Sequence, residues 1–141
     1  METLLDLNIS QLRELLKKGE ISSVELTRFY LDRIKRYDNE LGSYINITED
    51  IAMDMAKRAD ARIAKGEEGR LLGVPLGIKD NFCAKEIETT CASQILRGFI
   101  PLYDATIIKR LKDEGFVHLG RLNMDEFAMG GSTETSAFKK T

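Results

Sequence analysis

The apolar positions follow two rhythms along the chain. Over residues 1–66 they recur every three or four places, the spacing of helices that bury one side. Ser10 stands where an N-cap would open a short helix carrying Leu12, Leu15 and Leu16, and Gly19 is placed to end it. Ser22 and Glu25 have the spacing of a capping box, and behind them Leu26, Tyr30, Ile34 and Tyr37 draw one stripe on a second helix. Thr48 is the expected cap of a third helix, with Ile51, Met55, Ala59 and Ile63 on one face and Gly66 at its end.

From Leu71 the period falls to two. Leu72, Val74, Leu76 and Ile78 alternate with Gly73, Pro75, Gly77 and Lys79, which predicts a strand with one apolar face. Asp104 is the expected N-cap of a helix through Ile107, Ile108 and Leu111 that Gly115 stops, and a second strand follows over Phe116 to Leu122. Strand, helix, strand in this order predicts a crossover and a parallel pair. The connection from Asn81 to Tyr103 is long, and loops of that length often carry function.

The other face of the first strand is nearly bare, because Gly73, Pro75 and Gly77 leave room for a second backbone or a ligand. That row ends in Lys79. Flanked by packed structure rather than water, an ammonium there is disfavoured and the amine becomes a candidate proton acceptor. The competing reading is a strand-end lysine that snorkels into solvent. Asp80 points to the opposite side and is not expected to pair with Lys79.

Composition narrows the field by exclusion. The chain has 141 residues, 43% hydrophobic and 31% charged, an ordinary globular mixture. Lys and Arg total 21 against 23 Asp and Glu, so the basic footprint of a nucleic-acid binder is absent. Residues 1–10 carry Glu2 and Asp6 and no basic stretch, unlike a secretory signal, and the expectation is a soluble intracellular protein. A lone histidine, His118, cannot build a multi-histidine metal site, and its place in a strand predicts a structural or exposed role. Cys83 and Cys91 lack metal or redox spacing and are expected to pack. Asp125 and Glu126 are adjacent and diverge, which suits capping of a helix near Asn123 better than paired acid–base work. Gly130, Gly131, Ser132 and Thr133 could wrap a small polar ligand with backbone N–H groups, without the spacing of a nucleotide loop.

Four stretches make the chain familiar. Leu72-Gly-Val-Pro-Leu-Gly-Ile-Lys79-Asp-Asn81 is followed by Glu88-Thr-Thr-Cys-Ala-Ser93, then by Tyr103-Asp-Ala-Thr106 and Leu122-Asn-Met-Asp-Glu-Phe-Ala-Met-Gly-Gly-Ser-Thr-Glu-Thr135. In that order they resemble the amidase signature family, and most closely its glutamine-hydrolysing branch that serves tRNA-dependent amidotransferases. The resemblance implies an α/β fold: N-terminal helices over residues 1–66, then, over 67–141, the first strands and helix of a mixed sheet left incomplete at the C-terminus. It implies that Lys79 is the base of a Ser-cisSer-Lys triad, and that Gly130, Gly131 and Ser132 form part of the glutamine pocket wall. The two serines of that triad belong to a Gly-Ser-rich segment that matches nothing here, so nucleophile status does not pass to Ser93, Ser132 or Ser136. The chain then corresponds to about the first third of such a protein, and alone it is expected to be inactive.

For the whole enzyme the resemblance implies two partner subunits, B and C, with tRNA and the use of ATP and Mg reached through them, and no cofactor in this chain. The polar-faced N-terminal helices are the expected docking surface. Two other readings stay open: a different amide hydrolase of the same family, and a non-catalytic interaction module.

Overall fold

The computed structural model describes residues 2–141. A 3-10 turn over Glu2–Asp6 leads into helices α1 (Ile9–Lys18) and α2 (Ser23–Leu41), a short strand β1 (Tyr44–Ile47) and helix α3 (Glu49–Ala64). Strand β2 (Pro75–Lys79), helix α4 (Thr106–Asp113) and strand β3 (Val117–Leu122) complete the regular elements. The sheet is mixed, in the order β1-β3-β2, with β2 and β3 parallel and β1 antiparallel to β3. Among the described residues no helix is long and apolar enough to cross a membrane.

Local signals set the helix ends in two ways. The box at Ser22 forms as expected: its hydroxyl oxygen accepts the Glu25 N–H while the Glu25 carboxylate accepts the Ser22 N–H. Gly19 ends α1 at φ 69°, a left-handed value that glycine takes without strain. The cap of α1, however, is Asn8 and not Ser10, because Asn8 with Gln11 closes a reciprocal box two residues earlier. Thr48 does not cap α3 through its side chain; its hydroxyl donates to the His118 carbonyl at 3.1 Å and ties the helix to β3. Asp104 does not cap α4 either. Its carboxylate accepts the Lys85 N–H and the Lys112 ammonium, both at 2.7 Å, and so pins the long connection to the helix.

Strand β1 is absent from the expected layout of residues 1–66. Four residues carry too little period to announce themselves, and their pairing partners lie about seventy-five places away in β3. The buried face of α3 is also turned relative to the expected stripe: Ala52, Ala56 and Ala59 are buried and Ile51 is exposed. Small side chains let the helix come close to Val117 and Leu119 of β3 and Leu31 of α2, which form one apolar cluster.

The β2 segment splits its apolar residues between two clusters. Val74 packs with Leu12, Leu16 and Leu26 of the first two helices, whereas Ile78 packs with Ile108 of α4, Phe116, Ala84 and Ile87. Leu72, Val74 and Ile78 are buried and Leu76 is half-buried, but Gly73 and Pro75 are buried as well. The strand starts only at Pro75: Leu72 and Gly73 belong to a turn in which Gly73 takes a left-handed φ of 82°, so the expected strand is shorter and not one-faced. The bare row is filled by the chain's own side chains. A Cβ on Gly77 would lie 2.8 Å from Leu122 Cδ2 and 2.9 Å from the Tyr44 hydroxyl, and one on Gly73 would meet Ser23 at 3.1 Å. Glycine is therefore required there for packing within this chain.

Candidate active site

β2 and β3 are parallel and end together, with Lys79 in register with Leu122. In open α/β sheets ligands gather outside the carboxyl ends of such strands. Lys79 stands at that edge with its side chain exposed; the packed flank expected around it is not supplied by the described residues. Among the described residues Lys79 takes part in none of the ion pairs.

Asp80 turns inward, as the alternation required. It is buried, and its carboxylate accepts the Thr90 N–H at 2.9 Å, the Thr90 hydroxyl, and Arg121 Nε at 2.9 Å. Arg121 is wholly buried and spreads its fork further: Nη2 donates to the Phe82 carbonyl at 2.6 Å and to the Thr89 hydroxyl at 3.1 Å. Its Nη1 has no partner among the described residues. The Asp80 backbone joins the same knot, donating to the Leu122 carbonyl at 3.2 Å and accepting the Cys91 N–H at 3.0 Å. The sequence offered one signal of this centre, an arginine inside a strand that is apolar apart from His118; its pairing with Asp80, 41 residues away, it did not offer.

The loops beyond the two strands hold an unusual share of strained backbone. Cys91, Ala92, Phe127, Ala128 and Thr133 all adopt positive φ between 51° and 62°. Non-glycine residues hold such values only where the surroundings over-determine them, and they cluster at functional sites. Here the surroundings are hydrogen bonds between the loops: Phe127 N–H to the Cys91 carbonyl, Ala137 N–H to the Ala92 carbonyl, both at 2.9 Å, and the Ser93 hydroxyl to Glu126 at 2.5 Å.

Asp125 does not cap a helix with its side chain. Its carboxylate instead accepts the N–H groups of Ser132 and Thr133, each at 3.0 Å, and the N–H and hydroxyl of Thr135. The glycine-rich run does wrap an anion, but that anion is the chain's own. A Cβ on Gly130 would collide with the Asp125 carboxyl group, so glycine admits the close approach. The Thr133 N–H foremost, with the Thr135 hydroxyl and N–H and the Ser132 N–H, holds the Asp125 carboxyl below its ordinary range. A depressed carboxylate contributes stability above its unfolded value, near ~4, and that contribution is lost as pH falls through the lower folded value. The amides of Ser132, Thr133 and Thr135 are therefore expected to keep their hydrogen-exchange protection down to about pH 4 and lose it below that. An Asp125→Asn variant with an unchanged acid profile would contradict this.

The remaining candidates have quiet roles. The Ser132 hydroxyl donates to Glu134, and that of Ser136 to Asn123. With Ser93 on Glu126, none of these three serines is bonded to Lys79. His118 is buried, and burial, then the charge of Arg121, push its imidazole down to about 4, so it is neutral near pH 7. Burial raises the Cys91 thiol, as does the charge of Asp80, which suits packing rather than attack. Among the described residues no group of three or more His, Cys, Asp or Glu is arranged to hold a metal.

Comparison with known proteins adds the rest. The amidase family model matches residues 25–141. The A-type subunit of glutamyl-tRNA(Gln) amidotransferase from Thermoanaerobacter pseudethanolicus is 51% identical over 138 residues, which is 98% of this chain and 28% of that protein. The A-type subunit numbered 2 from Clostridium acetobutylicum is 49% identical over 139 residues, 98% of this chain and 29% of its own length. Among solved structures, the peptide amidase of Stenotrophomonas maltophilia superposes with a TM-score of 0.82 at 34% identity, covering 90% of this chain and 26% of the other. The A-type subunit of the Thermotoga maritima glutamyl-tRNA(Gln) amidotransferase gives 0.65 at 36%, covering 82% and 23%. The chain thus spans under a third of the length of the relatives it matches.

Proposed function

The chain belongs to the amidase family, and from that premise we propose that it supplies the lysine of a glutamine-hydrolysing site in a tRNA-dependent amidotransferase. The observation that carries this reading is Lys79 at the carboxyl end of β2, with the neighbouring carboxylate of Asp80 turned inward and committed to Arg121. Asp80 is thus not available to hold the Lys79 ammonium in an ion pair, and the role of base for Lys79 follows from the family resemblance.

In the proposed reaction the neutral Lys79 amine takes a proton from a bridging serine, which takes that of the nucleophilic serine. Both serines come from sequence outside these 141 residues. The nucleophile adds to the glutamine side-chain carbonyl, and as the adduct collapses to an acyl-enzyme the Lys79 ammonium returns the proton through the bridging serine to the departing nitrogen, which leaves as ammonia. Water then releases glutamate and restores the serine. Ammonia passes to partner subunits B and C in the cytoplasm, where glutamate carried on tRNA is amidated. ATP and Mg are used there by the partner subunits, as the family resemblance implies. The Gly130, Gly131 and Ser132 run would border the glutamine pocket, its shape set from behind by Asp125.

Hydroxylamine tests the reading directly. The full-length polypeptide should release ammonia from glutamine and, with hydroxylamine present, form the γ-glutamyl hydroxamate of an intercepted acyl-enzyme. Absence of both products would defeat the proposal, and the 141-residue chain alone should give neither. A second reading, a hydrolase of other small amides, is favoured by the closer superposition on the peptide amidase. It would be marked by faster ammonia release from peptide amides than from glutamine.

A further inference from the structure

The ion pair between Asp80 and Arg121 is a costly object, with relative exposures of 1% and 0% and a separation of 2.9 Å. Buried pairs of this kind are often no more stabilising than well-packed apolar residues of the same volume. Its distribution of bonds is more telling than its strength. Arg121 reaches Asp80, Phe82 and Thr89, and Asp80 reaches Thr90, so each bond ends on a different point of the loop that leaves β2. Through the Asp80 backbone the same knot holds Leu122 of β3 and Cys91 of the left-handed turn. Cys91 and Ala92 in turn hold Phe127 and Ala137, at either end of the stretch containing Gly130 to Ser132. The pair also keeps the Asp80 carboxylate occupied on the far side of the strand from Lys79.

We propose that Arg121 is a positioning residue of this site: acting through Asp80, it fixes the end of β2 that presents Lys79 and holds the Cys91–Ala92 turn beside it. This rests on the hydrolase reading given above. Displacement of a base by about an ångström can cost two orders of magnitude in rate, so the expected signature is a loss in kcat with little change in KM.

The test uses the full-length polypeptide, with kcat and KM for ammonia release from glutamine read beside the thermal midpoint. The double variant Asp80→Asn/Arg121→Met removes both charges together and leaves neither buried alone. It should fold, with kcat lower by about tenfold or more and KM within about threefold. A merely stabilising pair predicts instead that the folded double variant turns over like the wild type, and that result overturns the proposal. Should the double variant not fold, Thr90→Val removes the hydroxyl's bond to Asp80 and the one it accepts from the Ala92 N–H, and should lower kcat several-fold with KM within about threefold; wild-type kcat in that variant also overturns the proposal. Lys79→Ala, assayed in parallel, separates the two readings. If Lys79→Ala is active the hydrolase reading itself fails, and the positioning role falls with it. If Lys79→Ala is dead while the double variant is fully active, only the role of Arg121 fails.

Discussion

Lys79→Ala in the full-length polypeptide is expected to abolish glutamine hydrolysis while leaving the protein folded. The first half follows from the proposed chemistry. Without the amine the serines have no acceptor for the nucleophile's proton, and loss of one member of such a relay typically costs about 10⁴-fold or more. The second half follows from the structure, because Lys79 is exposed and joins none of the ion pairs among the described residues. Lys79→Arg should not restore turnover, since a guanidinium does not give up its proton near neutral pH. Ammonia release measured beside a thermal melt decides the matter. Near-normal turnover in Lys79→Ala would remove Lys79 from the mechanism.

Val74→Asp should be the most damaging change to the fold. Val74 is 1% exposed and packs among Leu12, Leu16 and Leu26. An ionised carboxylate there would be buried and unpaired, at a cost of roughly 3–5 kcal/mol. Val74→Ala, which removes two carbons and leaves a small void, should cost about 2 kcal/mol. Denaturant unfolding of both variants gives the comparison. Equal and small losses would mean that the aspartate escapes to water and that α1 and α2 do not clamp β2 as described.

The two predictions draw on different parts of the molecule's legibility. The burial of Val74 was readable from the spacing of apolar residues, which needs only the residues themselves, although the strand itself starts one residue later at Pro75. The box at Ser22 and Glu25 and the stop at Gly19 were readable for the same reason: donor and acceptor lie within four residues. Ser10, Thr48 and Asp104 looked like caps by residue type. Asn8 displaced the first with a better reciprocal pair, and the other two spend their side chains on His118 and on Lys85 and Lys112. Residue type marks a capacity to accept or donate; which partner takes it depends on what folding brings near.

The candidate site shows the same division. Order along the chain determined the helical start, the parallel β2–α4–β3 unit, the placing of Lys79 at a strand end and the family resemblance, since all of these rest on local period or contiguous motif. Only the tertiary structure decided that β1 joins the sheet, that Leu122 and Tyr44 fill the bare side of Gly77, and that Asp125 occupies the N–H groups of the glycine-rich run. It also decided that Asp80 and Arg121 meet. Each of those contacts joins residues from ~7 to ~80 places apart, where loop closure and the exclusion of water, not sequence spacing, determine which polar groups must satisfy one another.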